Sequence, residues 1–225
     1  RSVPLIGLQT ADGQDAVAQI AALPGEAVIT WDVVRGITPA NAAGVAAAKW
    51  MLQRKDASVF MGEAGVLELC SLLTTLPSQS LAVCLLNAHR YIEEAAIAQA
   101  LCSQRDLRKD SGHGVVLVAP SLPLPAELTQ DVLIIDVALP EADAVWAVVE
   151  RIYESASLGA PPEELREPAC AALLGLSSFA AEQATALAIT PSGIDIDSLR
   201  ARKRQMIEST RGIRVLQTEE QSEDL

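Results

Sequence analysis

Five short apolar stretches, alternating through the first four with longer helical patterns, dominate the first 140 residues. They are residues 4–9 (PLIGLQ), 27–34 (AVITWDVV), 81–86 (LAVCLL), 114–119 (GVVLVA) and 132–137 (VLIIDV). Several are apolar at consecutive rather than alternate positions, so both faces of such a strand need cover. Strands of that kind, spaced by helices, build a parallel sheet between two helical layers, joined by right-handed crossovers. The helical patterns lie at 15–23, from Thr38-Pro39 to 54, and at 65–76 and 92–105. Thr38-Pro39 offers an N-cap hydroxyl followed by a first-turn proline. Residues 58–61 are read as one further short strand.

Beyond Leu139-Pro140 the strand pattern stops. Helical patterns occupy 141–153, 162–174, 178–188 and 197–208, punctuated by Pro161-Pro162 and by Thr190-Pro191-Ser192-Gly193. The expected layout is therefore a five-stranded α/β part, 1–139, an all-helical part, 140–208, and a polar segment, 209–225.

Composition narrows the function classes. Aromatic residues are 3% of the chain, so the core is built from Ala, Leu, Val and Ile, and a base-stacking surface is not expected. The formal charge of −12 argues against nucleic acid or an anionic membrane as partner. No apolar run approaches the length of a membrane span. Cys70, Cys84, Cys102 and Cys170 form no CxxC pair and have no histidine spaced for a zinc site. They read as reduced and mostly buried, which fits a reducing compartment. Charge is uneven along the chain. Residues 200–214 hold six basic side chains and one acidic. Arg200, Arg202, Lys203 and Arg204 are thus candidates for contact with a linker or partner; a solvated helix face is the plainer reading.

A sheet of this type invites a nucleotide. A P-loop needs GxxxxGK[ST] between the first strand and helix, where backbone N–H groups cradle phosphate and a lysine neutralises it. Here that loop reads Thr10-Ala11-Asp12-Gly13-Gln14-Asp15. It has one glycine, no lysine, and two carboxylates at the anion-favouring end of a helix. The strand 81–86 leads into Asn87-Ala88-His89. Asn87 stands where an acid holds Mg2+ in P-loop enzymes, and it lacks the charge. His89 comes next at a strand tip, a place where such sheets put ligands, although a structural histidine is the commoner case. His113 reads as an exposed turn residue. Cys84 and His89 are near in sequence, but a mid-strand thiol among apolar neighbours is a poor nucleophile. In Thr30-Trp31-Asp32-Val33-Val34-Arg35-Gly36, Trp31 and Arg35 are candidate docking anchors; a core tryptophan and a turn glycine are the alternative.

Several of these stretches resemble the AAA ATPases first catalogued as a hypothetical chloroplast reading frame, which also occur in cyanobacteria and other bacteria. The matching segments are 29–36 (ITWDVVRG), 85–92 (LLNAHRYI), 115–140 (VVLVAPSLPLPAELTQDVLIIDVALP) and Lys203-Arg204-Gln205-Met206-Ile207. They are colinear and cover nearly the whole chain. The resemblance implies a degenerate AAA-like core, 1–139, without a working P-loop, a helical lid, 140–208, and a linker, 209–225, toward an ATP-hydrolysing module. A start at Arg1 and an end at Gln221-Ser222-Glu223-Asp224-Leu225 fit the N-terminal half of such a protein. The resemblance places Asn87 and His89 at a vestigial Walker B position, where relatives often carry an acid. It implies no cofactor for this chain, ATP and Mg2+ in the parent protein, and a cytoplasmic or stromal location. It also implies contacts with the ATP-hydrolysing module and with neighbouring subunits, as a hexamer in the intact protein.

The expected function is a non-catalytic regulatory and assembly domain of an AAA ATPase, contacting a neighbouring subunit or an unidentified protein partner. Two other readings stand beside it. One is a free-standing adaptor with no ATPase partner. The other is a small-molecule enzyme using a strand-tip crevice around Asn87, His89 and Ser121, with His89 as its acid or base.

Overall fold

The computed structural model describes residues 5–76, 80–107 and 113–208. The segment expected to be a linker, 209–225, lies outside them. The chain divides into two compact units, Arg1–Ala138 and Leu139–Leu225.

The first unit runs β1 (Leu5–Gln9), α1 (Gly13–Ala21), β2 (Ala27–Asp32), β3 (Gly36–Pro39), α2 (Ala42–Leu52), α3 (Gly65–Leu73), β4 (Leu81–Leu86), α4 (Ala95–Leu107), β5 (His113–Ala119) and β6 (Leu133–Asp136). Among the described residues these strands form one sheet in the order β3-β2-β4-β5-β1-β6. Five strands are parallel, and β3 lies antiparallel on β2 at one edge. β4 is buried at every position, which explains its unbroken apolar run. One face of the sheet packs Trp31, Phe60, Leu85, Tyr91 and Leu117. The other packs Val17, Val28, Cys84, Val116 and Val118.

Four expectations need correction in this unit. Thr38-Pro39 ends a sixth strand and does not start a helix. The chain reverses after Asp32, whose Oδ1 accepts the N–H groups of Val34 and Arg35 at 2.9 and 2.8 Å. Gly36 then takes a φ of +67°, which a side chain rarely permits. Helix α2 starts later, capped by Asn41. Residues 58–61 are no strand: Asp56 accepts the Ser58 N–H at 2.9 Å and winds Ala57–Phe60 into a 3-10 turn. Strand β6 is exposed at all four residues because it forms the sheet edge, not its middle. His113, read as a turn residue, opens β5.

The second unit comprises α5 (Ala142–Ser155), α6 (Arg166–Leu173), α7 (Ser178–Ala188) and α8 (Ile196–Glu208). Its core holds Trp146, Val149, Tyr153, Leu173 and Leu199. The all-helical expectation fails at one place. Thr190-Pro191-Ser192-Gly193 turns a two-stranded hairpin, β7 (Ile189–Thr190) with β8 (Gly193–Ile194), between α7 and α8. The buried Tyr153 hydroxyl anchors it by accepting the Ile194 N–H at 3.0 Å. Among the described residues no helix is long and apolar enough to cross a membrane.

Candidate functional site

The C-terminal ends of β1, β4 and β5 meet at a crevice of about 180 Å3. It is lined by the β1–α1 loop (Thr10, Ala11, Gly13, Gln14), by Leu86 and Asn87 after β4, and by the end of β5 through Pro120. This is the place where sheets of this class hold ligands. The volume falls below the roughly 300–1,000 Å3 of ordinary small-molecule clefts.

The loop is tied to itself. The Thr10 N–H donates to the Ala119 carbonyl at 2.9 Å, and the Asp12 N–H donates to Thr10 Oγ1 at 3.0 Å. Asp12 Oδ1 accepts the Asp15 N–H at 3.1 Å and so caps α1. The N-terminal N–H groups of such a helix attract anions. In this chain a side-chain carboxylate already stands there, with Asp15 in the first turn behind it. No lysine or arginine lines the crevice. Among the described residues, the crevice therefore offers a phosphate no positive side chain, and the Asp12 carboxylate occupies the adjoining helix terminus.

Asn87 is exposed and holds the left-handed conformation, φ 55° and ψ 38°. Asparagine tolerates that region better than most residues. Its bend sends the chain out of β4 and into the short turn Ala88–Arg90, and it lines the crevice. His89, on that turn, does not line it, nor does Ser121. The His89 Nδ1 is buried without a hydrogen-bond partner. Burial, and then the charge of Arg90, holds the imidazole below the usual histidine range. The structure thus brings Asn87 beside the β1–α1 loop, while His89 does not line the crevice.

Trp31 is a core residue, which corrects its reading as a docking anchor. It is fully buried, meets the Tyr91 ring edge-on at 5.3 Å, and gives its N–H to the Phe60 carbonyl. Arg35 is exposed, but its Nε is bound to Asp32 Oδ2 at 2.6 Å, so it closes the β2–β3 turn. On α8, Arg200 meets Asp197 at 3.4 Å, Arg202 meets Gln205 at 3.5 Å, and Lys203 reaches the Ala171 carbonyl at 3.5 Å. Arg204 is exposed.

Burial pushes the Cys84 thiol up to about 12, so it stays protonated and inert. Cys70, Cys84, Cys102 and Cys170 form no disulfide. Among the described residues no three His, Cys, Asp or Glu side chains are grouped to hold a metal ion. The capped helix terminus was legible in the sequence; the contribution of Val118, Ala119 and Pro120 to the crevice was not, because it arises from β5 lying beside β1.

Residues 2–137 match the family described as the SpoVK-like AAA ATPase, N-terminal domain. No curated protein matches the sequence. Among solved structures, the chain is similar to PCH-2 of C. elegans, with a TM-score of 0.52 and 14% identity over 91% of this chain. It spans 61% of the length of that protein. It is also similar to the FIGL-1 AAA domain in complex with ADP, with a TM-score of 0.53 and 14% identity over 90% of this chain and 71% of that one. At such identity the likeness is one of fold.

Proposed function

The chain belongs to the SpoVK-like AAA ATPase N-terminal domain family, and from that premise we propose that it is a non-hydrolysing, AAA-like regulatory and assembly domain. In this reading ATP and Mg2+ are handled by another module of the parent ATPase, and this domain contacts that module and neighbouring subunits of a six-membered ring. The narrower kinship with the chloroplast reading-frame ATPases, carried by segments 29–36, 85–92 and 115–140, is part of the proposal. So are a cytoplasmic or stromal location and an unidentified protein partner. The α8 cations Arg200, Arg202, Lys203 and Arg204 are the proposed contact toward the ATP-hydrolysing module of the parent chain. Residues 1–139 act as the degenerate core and 140–208 as its lid.

One observation supports this reading above the others. The helix terminus that would receive phosphate is capped by the Asp12 carboxylate, next to a crevice of about 180 Å3 with Asn87 at its wall. A triphosphate would meet a carboxylate there, and Mg2+ would meet a neutral amide.

Calorimetric titration of the chain with Mg-ATP tests this. The expected result is no saturable heat and no change in melting temperature at millimolar nucleotide. Saturable binding in the micromolar range overturns it and makes Asn87 the residue to replace.

A further inference from the structure

Packing in the second unit brings the end of α8 to the surface of α6. Helix α8 packs against both α6 and α7. It sets out where α7 ends, the Asp195 N–H donating to the Ala188 carbonyl at 3.0 Å beside the β7–β8 hairpin. Farther along, Lys203 Nζ reaches the carbonyl of Ala171, in the last turn of α6, at 3.5 Å. Glu208 ends α8 five residues beyond Lys203, about 7.5 Å along the axis. The chain therefore leaves α8 close to the C-terminal end of α6.

That end of α6 borders a groove of about 520 Å3 with an apolar floor, made by Ala142 of α5 and by Cys170, Ala171 and Leu174 of α6 and its exit. Leu174 is 40% exposed. Most of the charge around the groove is already matched. The Arg166 guanidinium meets Asp143 at 2.7 Å and Glu163 at 3.4 Å, and the Lys203 ammonium stands at the Ala171 carbonyl. Glu167 also lines the groove and makes no ion pair among the described residues.

The segment after α8, 209–225, lies outside the described residues, but its sequence holds one apolar cluster. It begins Ser209-Thr210-Arg211-Gly212-Ile213-Arg214-Val215-Leu216, and from Gln217 to Asp224 there is no apolar residue. Ile213, Val215 and Leu216 gain from cover. Ile213 is five residues past Glu208 and Leu216 eight, a reach of about 17 and 27 Å when extended. Helix α6, with eight residues, is only about 12 Å long, so the cluster can reach every part of the groove. A segment tethered this closely faces its own groove at roughly millimolar effective concentration, far above that of a second copy in dilute solution. We propose that residues 213–216 dock into the α5–α6 groove of their own chain. Ile213, Val215 and Leu216 lie against Ala142, Ala171 and Leu174, and Arg214 lies beside Glu167. The docked segment closes the groove to any other protein segment. The contact does not rest on the ATPase reading.

Amide hydrogen exchange of the whole chain, from micromolar to near-millimolar concentration, tests the docking. Residues 213–216 are expected to exchange at least about tenfold more slowly than an unfolded chain, and equally so at every concentration. Ile213→Glu and Leu174→Glu are each expected to abolish that protection while exchange in α5 and α7 stays as in the wild type, which separates lost docking from lost folding. Arg214→Glu or Glu167→Arg alone is expected to weaken the protection, and the chain carrying both is expected to recover it. Exchange of 213–216 at the unfolded rate in the wild type overturns the proposal. Protection that survives Leu174→Glu overturns it too, since the segment then rests elsewhere, as in a continuation of α8. Protection that grows with concentration, together with a dimer in sedimentation velocity, puts the segment in the groove of a second copy and overturns the intramolecular contact. A doubly reversed chain that does not recover overturns the placement of Arg214 beside Glu167. Each outcome is independent of the titration with Mg-ATP.

Discussion

The indole N–H of Trp31 donates to the backbone carbonyl of Phe60 at 2.7 Å, inside the core and 29 residues away in sequence. The same carbonyl faces Gly65, where an added Cβ would stand 2.2 Å from its oxygen. One atom therefore fixes the end of β2, the 3-10 turn and the start of α3 together. Trp31→Phe keeps a ring but leaves that buried carbonyl unpaired. The expected loss is about 1–3 kcal/mol for the orphaned acceptor, read from urea unfolding. Binding of any protein partner should be unchanged. A variant of normal stability that has lost a partner would restore Trp31 as a docking residue.

Asn41 holds α2 onto the sheet. Its Oδ1 accepts the N–H groups of Gly44 at 2.8 Å and Val28 at 3.1 Å, and its Nδ2 donates to the carbonyls of Ala21 and Glu26 at 3.1 and 2.9 Å. Asn41→Ala removes a helix cap, about 1 kcal/mol, and leaves further backbone groups unpaired at about 1–3 kcal/mol. Gly44→Ala is expected to be at least as damaging, since its Cβ would lie 2.0 Å from the Val28 carbonyl oxygen. Thermal melts of both variants check this. A fall in melting temperature for Asn41→Ala no larger than for exposed Ala43→Ser would refute the role of Asn41.

The two residues also show what the sequence carried and what it did not. Strand β4 was legible because six apolar residues in a row have no other place to go. The cap at Asp12 was legible because an acid before a helix is a local signal. Asn41 was not, since three of its four partners lie 13 to 20 residues away. Thr38-Pro39 misled for a definable reason: proline suits a first helical turn, and it suits an edge strand whose N–H faces no neighbour. Residues 132–137 spelled a strand but not its place in the sheet, and an edge position exposes what a central one buries. Trp31 stayed ambiguous because cores and interfaces prefer the same large rings.

Asp32 and His89 are two of the groups that set the response to acid; Asp56, held below the ordinary aspartate value by the Ser58 hydroxyl and N–H, is a third. Burial raises the Asp32 carboxyl, but the Arg35 N–H, the Arg35 guanidinium and the Val34 N–H outweigh it and hold the group below the ordinary aspartate value. The folded state thus binds fewer protons than the unfolded one. Its contribution is complete above the ordinary value and is lost as pH falls through the lowered one. His89, held down by burial and then by Arg90, acts in the same direction in a higher window. Its contribution is present above the ordinary histidine value of about 6.5 and is lost as pH falls below it. Urea unfolding across a pH series should show both slopes. Asp32→Asn should flatten the lower one and His89→Asn the upper one. A His89→Asn chain with the wild-type slope just below pH 6.5 would refute the assignment to His89.

At the strand-tip crevice, charge and capping can be separated through Asp12. Its carboxylate accepts the Asp15 N–H and also places a negative charge where an anion would sit. Asn caps a helix about as well as Asp, so Asp12→Asn should leave stability within about 0.5 kcal/mol, whereas Asp12→Ala should cost about 1 kcal/mol. Neither change supplies a cation, and neither enlarges the crevice beyond its lining of Leu86, Val118 and Pro120. Both variants are therefore expected to remain silent in a Mg-ATP titration. A saturable signal in Asp12→Asn and none in the wild type would mean that one carboxylate alone excludes nucleotide from an otherwise complete site. The restriction by volume would then be wrong, and the loss of nucleotide binding would rest on a single residue of the first loop.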